Sequence, residues 1–427
     1  MMADFTSPTP LSARVHRLAS MDRDDDVKRP GRPASSYMSV SAESEAVEFE
    51  TLLQESDGWL VYSVERAWTD EDAALVLLEV ADAGLQRKIY FEEAFLDRGI
   101  RIHAPLGCRV AVVGFPVVEA WLAGHDVGPK VSFVGNTGRC GSTLFHRLLL
   151  WTGEVVSLSE PQWSDQLGKS DASRNATDAQ LQRAVRTTAL ADFLLASKRF
   201  PPKAAAAWSL NPKGGSGRFQ RAFAAAFPES KHLFLYRSCR KVTESFGSLG
   251  RHRATEAPTA DNVHLRLEDA VVPGLREAFM KLSTVGVVRN VEAWCATVLE
   301  YLEEGSIDDT RKFVLRMDEF VGADTKHVVV PKALAFLDLG TTVDYDPADV
   351  DRNVFGVDSQ KGSNMSRMTP TKAQQQQKKK EPFLTDTDLA LIKDDILVKV
   401  FDRDHLKPKA RLDGHDLILK GSAGIPF

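Results

Sequence analysis

Hydrophobic and polar residues alternate in blocks along the chain, and from about Val131 onward these blocks predict strands and helices in turn. The short apolar runs "KVSFVG", "HLFLYR" and "KFVLRM" are typical of buried strands. The longer segments "GSTLFHRLLLWTG", "DAQLQRAVRTTALADFLLASK" and "NVEAWCATVLEYLEEG" predict helices, and Leu144, Leu148 and Trp151 give the first of them one buried face. This alternation predicts an α/β fold with a P-loop-type parallel sheet that has helices on both faces.

The pattern changes at both ends of the chain. Residues 1–45 are rich in Ser, Pro, Asp and Arg without periodicity, which predicts a disordered tail. Residues 46–128 predict a smaller N-terminal α+β region, in which "DGWLVYSVER" is a strand, "TDEDAALVLLEVADAG" a capped helix and "CRVAVVGFPVVEAWLAG" a strand leading into a helix. The main domain is expected over residues 131–420, interrupted by a mobile loop at 359–382 that contains a Gln run and a Lys run.

Composition and charge narrow the possible classes of partner. The 427 residues carry a net charge of −5, which argues against a surface built for nucleic acid and places any anion site in a local basic pocket. Four scattered cysteines without a CxxC pair favour a reducing compartment, and no apolar run is long enough to span a membrane. We therefore expect a cytoplasmic protein, although Arg14 and Arg17 leave an organelle-targeting tail open. No feature of the sequence specifies an oligomeric state.

A glycine-rich turn joins the first main-domain strand to the helix that follows it. The stretch "FVGNTGRCGST" places an arginine and two hydroxyl groups in this turn, at Gly138, Arg139, Cys140, Gly141, Ser142 and Thr143. In a strand–turn–helix unit, backbone N–H groups and the helix N-terminus converge on an anion. The lysine of ATP-binding loops is missing, because Ser142 directly follows Gly141. The turn is either a phosphate cradle or a connection that binds nothing.

A second stretch, "HLFLYRSCRKVTESF", ends an apolar strand with Arg237 and places Ser245 eight residues later. Arg237 is expected at the carboxyl edge of the sheet, where open α/β folds bind ligands. Ser245 lies about two turns into the next helix and could share one phosphate with Arg237. The alternative is that Arg237 pairs with a surface acid and that Ser245 is solvated.

Together the two stretches resemble the 5′-phosphosulfate loop and the 3′-phosphate motif of sulfotransferases that use 3′-phosphoadenosine 5′-phosphosulfate (PAPS). The family loop has the form (Lys/Arg)-x-Gly-(Ser/Thr)-(Ser/Thr), which matches "RCGST", and its second strand ends in an arginine with a serine eight positions on. "SLSEPQW", "FPESKHLFLYR" and "DSQKGSNMSR" resemble further segments of the bacterial-type branch, in order. The resemblance covers roughly residues 131–368.

The resemblance implies a site and a cofactor. Arg139 would neutralise the bridging oxygen as the bond to sulfur breaks, without a metal ion. The residues implied to hold PAPS are Gly138, Arg139, Cys140, Gly141, Ser142 and Thr143 at the 5′-phosphate, Arg237 and Ser245 at the 3′-phosphate, and Gln360, Lys361, Gly362 and Ser363 as a cover.

The general base is the least defined position. Glu160 is the first candidate, because carboxylates serve as the base in several branches of the family; otherwise Glu160 is a helix-capping acid beside Pro161. In "AAWSLNPKGGSGRF" the lysine of many relatives is displaced to Lys213 or replaced by Asn211. His146 is a helix-face residue or a second candidate base, and Cys140 is interpreted as a small spacer.

Three function classes follow. The first is a PAPS-dependent sulfotransferase that acts on a hydroxyl or amine of a soluble small-molecule acceptor. The second is a nucleotide-binding protein of the same fold that has lost its base. The third is a P-loop kinase, which is disfavoured by the missing lysine.

Overall fold

The structure is a computed structural model, and it describes residues 12–23, 33–67, 72–93, 95–125, 130–169, 175–200, 207–212, 217–248, 255–263, 265, 267, 273–303, 307–339, 343–357 and 383–401. The chain forms two compact units. The first comprises Met1–Val134, Thr143–Lys231 and Leu337–Ser366, and the second comprises Gly135–Ser142, His232–Phe336 and Arg367–Phe427.

An antiparallel sheet fills the N-terminal part of the first unit. Its strand order is β2-β1-β6-β5-β4, and β3 also pairs with β1. The strands are β1 Ser12–Met21, β2 Met38–Val40, β3 Glu45–Glu48, β4 Trp59–Glu65, β5 Ala74–Glu79 and β6 Arg109–Gly114. The predicted strands at β4 and β6 are confirmed.

Strand β1 differs from the expectation of a disordered tail over residues 1–45. It pairs with β6 in a register that sets Ala13 opposite Val113 and Arg17 opposite Arg109. Ala13, Val15 and Leu18 are buried, so the segment "SARVHRLASM" has an apolar face despite its three basic residues. Sheet pairing with a distant strand supplies the stability that the local composition does not indicate.

The predicted helix in "TDEDAALVLLEVADAG" is wrong. The segment forms β5, which pairs with β4 on one side and with β6 on the other. Leu75, Leu77 and Leu78 are all fully buried. A strand buried on both faces is a continuous apolar run, and such a run cannot be distinguished from a buried helix by its periodicity.

The first unit also contains parallel strands flanked by helices. Strands β7 Lys130–Asn136 and β8 Val156–Ser159 both pair with β9 Ala207–Asn211. The helices of the first unit are α1 Phe49–Glu55, α2 Ala83–Arg87, α3 Leu96–His103, α4 Phe115–Ala123, α5 Ser142–Thr152, α6 Gln162–Lys169, α7 Asp178–Ser197, α8 Gly217–Ala226 and, later in the chain, α14 Pro347–Val350. The rings of Phe193 on α7 and Trp208 on β9 pack with centroids 4.7 Å apart.

In the second unit, β10 Lys231–Tyr236 pairs in parallel with β11 Lys312–Arg316. The helices of the second unit are α9 Cys239–Ser248, α10 Leu275–Phe279, α11 Val285–Glu303, α12 Met317–Val321, α13 Lys326–Phe336, α15 Asp386–Leu391 and α16 Leu397–Phe401. The ring of Phe234 stacks on Tyr301 with centroids 4.2 Å apart, and Trp294 packs against Phe401. Parallel strands flanked by helices, together with an antiparallel sheet, confirm the α/β class with an additional N-terminal sheet.

Candidate functional site

The turn after β7 has the backbone of an anion-binding loop. The Oδ1 atom of Asn136 accepts a hydrogen bond from the backbone N of Gly138 at 2.9 Å, which folds the chain back at the strand end. Gly138 (φ 74°) and Gly141 (φ 86°) both adopt the left-handed conformation that favours glycine. A Cβ atom on Gly138 would also lie 3.0 Å from the ring of Phe246. Helix α5, eleven residues long, then begins at Ser142 and directs its N-terminus into the loop.

Arg139 is held in the left-handed region with φ 53°, although it is not a glycine. This conformation costs an L-residue about 1–2 kcal/mol. Among the described residues, four non-glycine residues have a positive φ, and two of these are Arg139 and Glu160. Such strain concentrates at functional sites, and here it falls on two residues that the sequence singles out.

The second motif meets the loop within the second unit. Arg237 follows β10 and Ser245 lies on α9. The Nε atom of Arg139 donates a hydrogen bond to Oγ of Ser245 at 3.0 Å, and Nη1 of Arg237 donates a long one to the carbonyl oxygen of Arg139 at 3.4 Å. The backbone N of Arg237 donates to Oγ1 of Thr137 at 3.3 Å. The structure thus brings Arg139, Arg237 and Ser245 together from segments about a hundred residues apart.

Three further residues, Asn136, Thr137 and Trp294, support this arrangement and were not identified from the sequence. Thr137 donates its backbone N–H to the carbonyl oxygen of Leu235 at 3.1 Å, which fixes the loop to β10. Trp294 on α11 donates its Nε1 proton to the carbonyl oxygen of Arg237 at 2.8 Å. The sequence could have indicated the role of Asn136, since an asparagine two residues before a glycine favours a turn. Trp294 carried no such signal, because it lies inside an apolar helix stripe.

The arrangement suits an anion with more than one phosphate or sulfate group. Two half-buried guanidinium groups, a buried serine hydroxyl and the helix N-terminus are all donors. Guanidinium groups form strong, often bidentate hydrogen bonds with phosphate oxygens, and reduced solvent contact strengthens them.

Cys140 lies inside this loop. Its side chain is fully buried, and burial raises the pKa of the thiol to about 11. The thiol is therefore neutral near pH 7 and has little of the thiolate that nucleophilic attack requires. This agrees with its interpretation as a small spacer.

Glu160 and Asn211 lie together in the first unit. Glu160 follows the last residue of β8 with φ 48°, and its backbone N donates to the carbonyl oxygen of Asn211, at the end of β9, at 2.7 Å. Glu160 therefore follows the carboxyl end of β8, and Asn211 is the last residue of the neighbouring parallel strand β9. Lys213, Gln360, Lys361, Gly362 and Ser363 lie outside the described residues.

His146 lies in a buried environment on the helix that follows the loop. It is buried on α5, and its Nδ1 atom lies 2.7 Å from Oγ of Ser157 on β8. Burial, reinforced by the charge of Arg147, lowers the pKa of the imidazole to about 3. The ring is neutral at physiological pH and forms a hydrogen bond with a buried hydroxyl, which favours the helix-face interpretation over a role as base.

The described residues show neither a membrane-spanning helix nor a metal site. No helix among them is long and apolar enough to cross a membrane. Within the same parts of the chain, no group of three or more His, Cys, Asp or Glu side chains is placed to hold a metal ion.

Comparisons with known proteins give structural neighbours only. No family model and no curated protein matches the sequence. Similar solved structures include the sulfotransferase domain of the Synechococcus PCC 7002 olefin synthase (15% identity, 62% of this chain and 94% of that chain covered, TM-score 0.34). Sulfotransferase STF9 from Mycobacterium avium is similar over 66% of this chain and 80% of its own, with 14% identity and a TM-score of 0.34. Since these TM-scores are below 0.5, a function for this chain has to come from its own residues.

Proposed function

We propose that this protein is a sulfotransferase that binds PAPS and transfers its sulfuryl group to a hydroxyl or amine of a small-molecule acceptor. The observation that carries this proposal is the cluster of Arg139, Arg237 and Ser245 around a left-handed glycine loop. A second arginine, from the end of another strand, can bind a second anionic group of the same ligand.

The two motifs divide the nucleotide between them in this proposal. Gly138 to Thr143 hold the 5′-phosphosulfate through backbone N–H groups and hydroxyls, with Arg139 as the charged donor. Arg237 and Ser245 hold the 3′-phosphate. This phosphate is absent from ATP, so the pair distinguishes the two nucleotides. Gln360, Lys361, Gly362 and Ser363 remain the proposed cover.

The transfer step requires charge stabilisation and a base. The acceptor oxygen or nitrogen attacks sulfur, and the bond between sulfur and the bridging oxygen of the 5′-phosphate breaks. Arg139 offsets the negative charge that develops on this oxygen. The acceptor proton passes to Glu160, and the products are the sulfated acceptor and 3′-phosphoadenosine 5′-phosphate. We assign the base to Glu160 because its strained backbone is fixed by Asn211 at a strand end; Lys213 is the alternative base.

Calorimetric titration with 3′-phosphoadenosine 5′-phosphate tests the cofactor. We expect micromolar binding of the bisphosphate without a metal ion, and no heat from ATP with Mg²⁺ under the same conditions. Binding of ATP with Mg²⁺ but not of the bisphosphate would instead support a P-loop kinase.

Incubation with ³⁵S-labelled PAPS and a panel of phenols, alcohols and amines tests transfer separately. We expect the label to appear in at least one acceptor when the wild-type protein is present, and in none when it is left out. Tight bisphosphate binding with no transfer to any acceptor would support a nucleotide-binding protein that lacks a functional base.

A further inference from the structure

A cavity of about 440 Å³ lies in the first unit at the amino ends of β7 and β9. Its size falls within the range of about 300–1,000 Å³ that is typical of small-molecule sites. Ala207 lines this cavity at the start of β9, whereas Asn211 ends the same strand. At about 3.3 Å per residue these two positions are about 13 Å apart. The cavity is therefore distinct from the strand end that carries Asn211 and Glu160.

The floor of the cavity is apolar. Buried aliphatic and aromatic side chains from β7, α5, the α5–β8 turn, β9 and the α8–β10 turn form it: Val131, Leu149, Val155, Trp208 and Phe227. Desolvated apolar walls of this kind favour the hydrocarbon part of a ligand, since burying that part removes it from water.

The rim of the cavity carries charge, with an excess of basic groups. Lys231 is paired with Asp338 at 2.7 Å, so these two charges offset each other. Lys130 and Arg186 form no ion pair with any described residue, and Glu229 is the remaining acid. Nη1 of Arg186 donates to the carbonyl oxygen of Ala226 at 3.0 Å, which holds the guanidinium at the rim. Two basic side chains against one acid favour an anionic head group.

We propose that this cavity is a second binding site, which takes an amphipathic monoanion: an alkyl or aryl body on the apolar floor, and a carboxylate or sulfate head between Lys130 and Arg186. The hydrocarbon supplies most of the affinity, and the basic rim selects the sign of the head group. This inference does not depend on the proposed transferase activity, because it concerns the opposite end of the strands.

Calorimetry with three ten-carbon probes tests the site: decanoate, decyl sulfate and decylammonium. We expect both anions to bind with 1:1 stoichiometry and decylammonium to bind at least tenfold more weakly. Saturating 3′-phosphoadenosine 5′-phosphate should leave 1:1 binding of the anions in place, which separates this site from the proposed nucleotide loop.

Charge reversal at the rim provides the matched comparison. The double variant Lys130→Glu/Arg186→Glu should bind decanoate about tenfold more weakly, because each substitution replaces an attractive charge at the rim by a repulsive one. Arg87→Glu is the control, since Arg87 is 77% exposed and does not line the cavity. A second variant, Ala226→Leu, fills the cavity floor and should weaken all probes alike. The proposal is overturned if decanoate does not bind the wild type, or if it binds the double variant and Arg87→Glu equally well.

Discussion

The Nε atom of Arg139 donates a hydrogen bond to the hydroxyl oxygen of Ser245 at 3.0 Å, although the two residues are 106 positions apart in the sequence. The same arginine has a left-handed backbone, and its carbonyl oxygen accepts a hydrogen bond from Arg237. The loop is therefore shaped by the strand and helix that carry the second motif.

Arg237→Ala should weaken binding of 3′-phosphoadenosine 5′-phosphate by about ten- to a hundredfold, because a hydrogen bond to a charged group contributes about 1.5–3 kcal/mol. Binding of adenosine 5′-monophosphate should be almost unchanged. Calorimetric titration of both nucleotides measures the difference.

Arg240→Ala is the matched control for this substitution. Arg240 lies on the same helix as Ser245 and pairs with Glu244 at 2.9 Å. Its loss removes an equal charge and should change neither affinity by more than about twofold. Equal losses of both nucleotides in Arg237→Ala would reject the assignment of Arg237 to the 3′-phosphate.

Glu160→Gln should lower the rate of sulfuryl transfer by about 10²–10⁴-fold, because the amide cannot accept the acceptor proton. Affinity for the bisphosphate should stay within about twofold of the wild type. Single-turnover transfer from labelled PAPS, with calorimetry alongside, separates the two effects. Lys213→Ala is the companion variant: if it abolishes transfer while Glu160→Gln does not, Lys213 is the base.

His146→Gln should reduce the acid sensitivity of the fold. The pKa of His146 is about 3 in the folded protein, against about 6.5 when unfolded, so between these pH values the unfolded chain binds a proton that the folded chain does not. Wild-type stability is thus lost progressively as the pH falls from about 6.5. The glutamine variant should lose up to about 1.4 kcal/mol less per pH unit in this window. Urea unfolding between pH 7 and pH 5 measures it, and parallel pH curves would contradict it.

Asp192→Asn should stabilise the protein increasingly toward neutral pH. Burial raises the pKa of Asp192 to about 7, while Trp163 donates a hydrogen bond to its Oδ2 atom at 2.6 Å. Between about pH 4 and pH 7 the folded protein keeps a proton on Asp192 that the unfolded chain releases. The free energy of unfolding is therefore highest below about pH 4 and falls as the pH rises through 7. Asparagine stays neutral and can still accept the proton of Trp163. Its advantage in free energy of unfolding should grow from pH 4 to pH 7 and then level off; an advantage independent of pH would show that Asp192 does not titrate in this range.

The sequence predicted those parts of the fold whose signals are local. The strand–loop–helix unit around residues 130–152 and the strand–helix unit around Arg237 were expected, and both are present. Their signals are short apolar runs, glycine spacing and helix periodicity, which all act within about twenty residues. The proximity of the two motifs followed from the resemblance and from the rule that carboxyl ends of parallel strands share an edge.

The remaining parts depend on distant partners. β5 was expected to be a helix because its apolar run does not reveal that strands lie on both sides of it. The left-handed backbone of Glu160 and the buried pair of His146 and Ser157 arise from tertiary packing. A glutamate in the sequence does not indicate a left-handed backbone, and a histidine does not indicate whether its side chain is buried. The structure was therefore needed to distinguish a candidate base from a buried histidine.

Strand β1 has a consequence for how the N-terminus can be processed. This strand pairs with β2, β3 and β6, so its removal would expose the backbone hydrogen-bonding groups of all three. A maturation protease that cut the chain beyond Ser12 would leave an open sheet edge prone to intermolecular pairing. During synthesis, β1 can pair with β6 only after residues 109–114, which form β6, have left the ribosome.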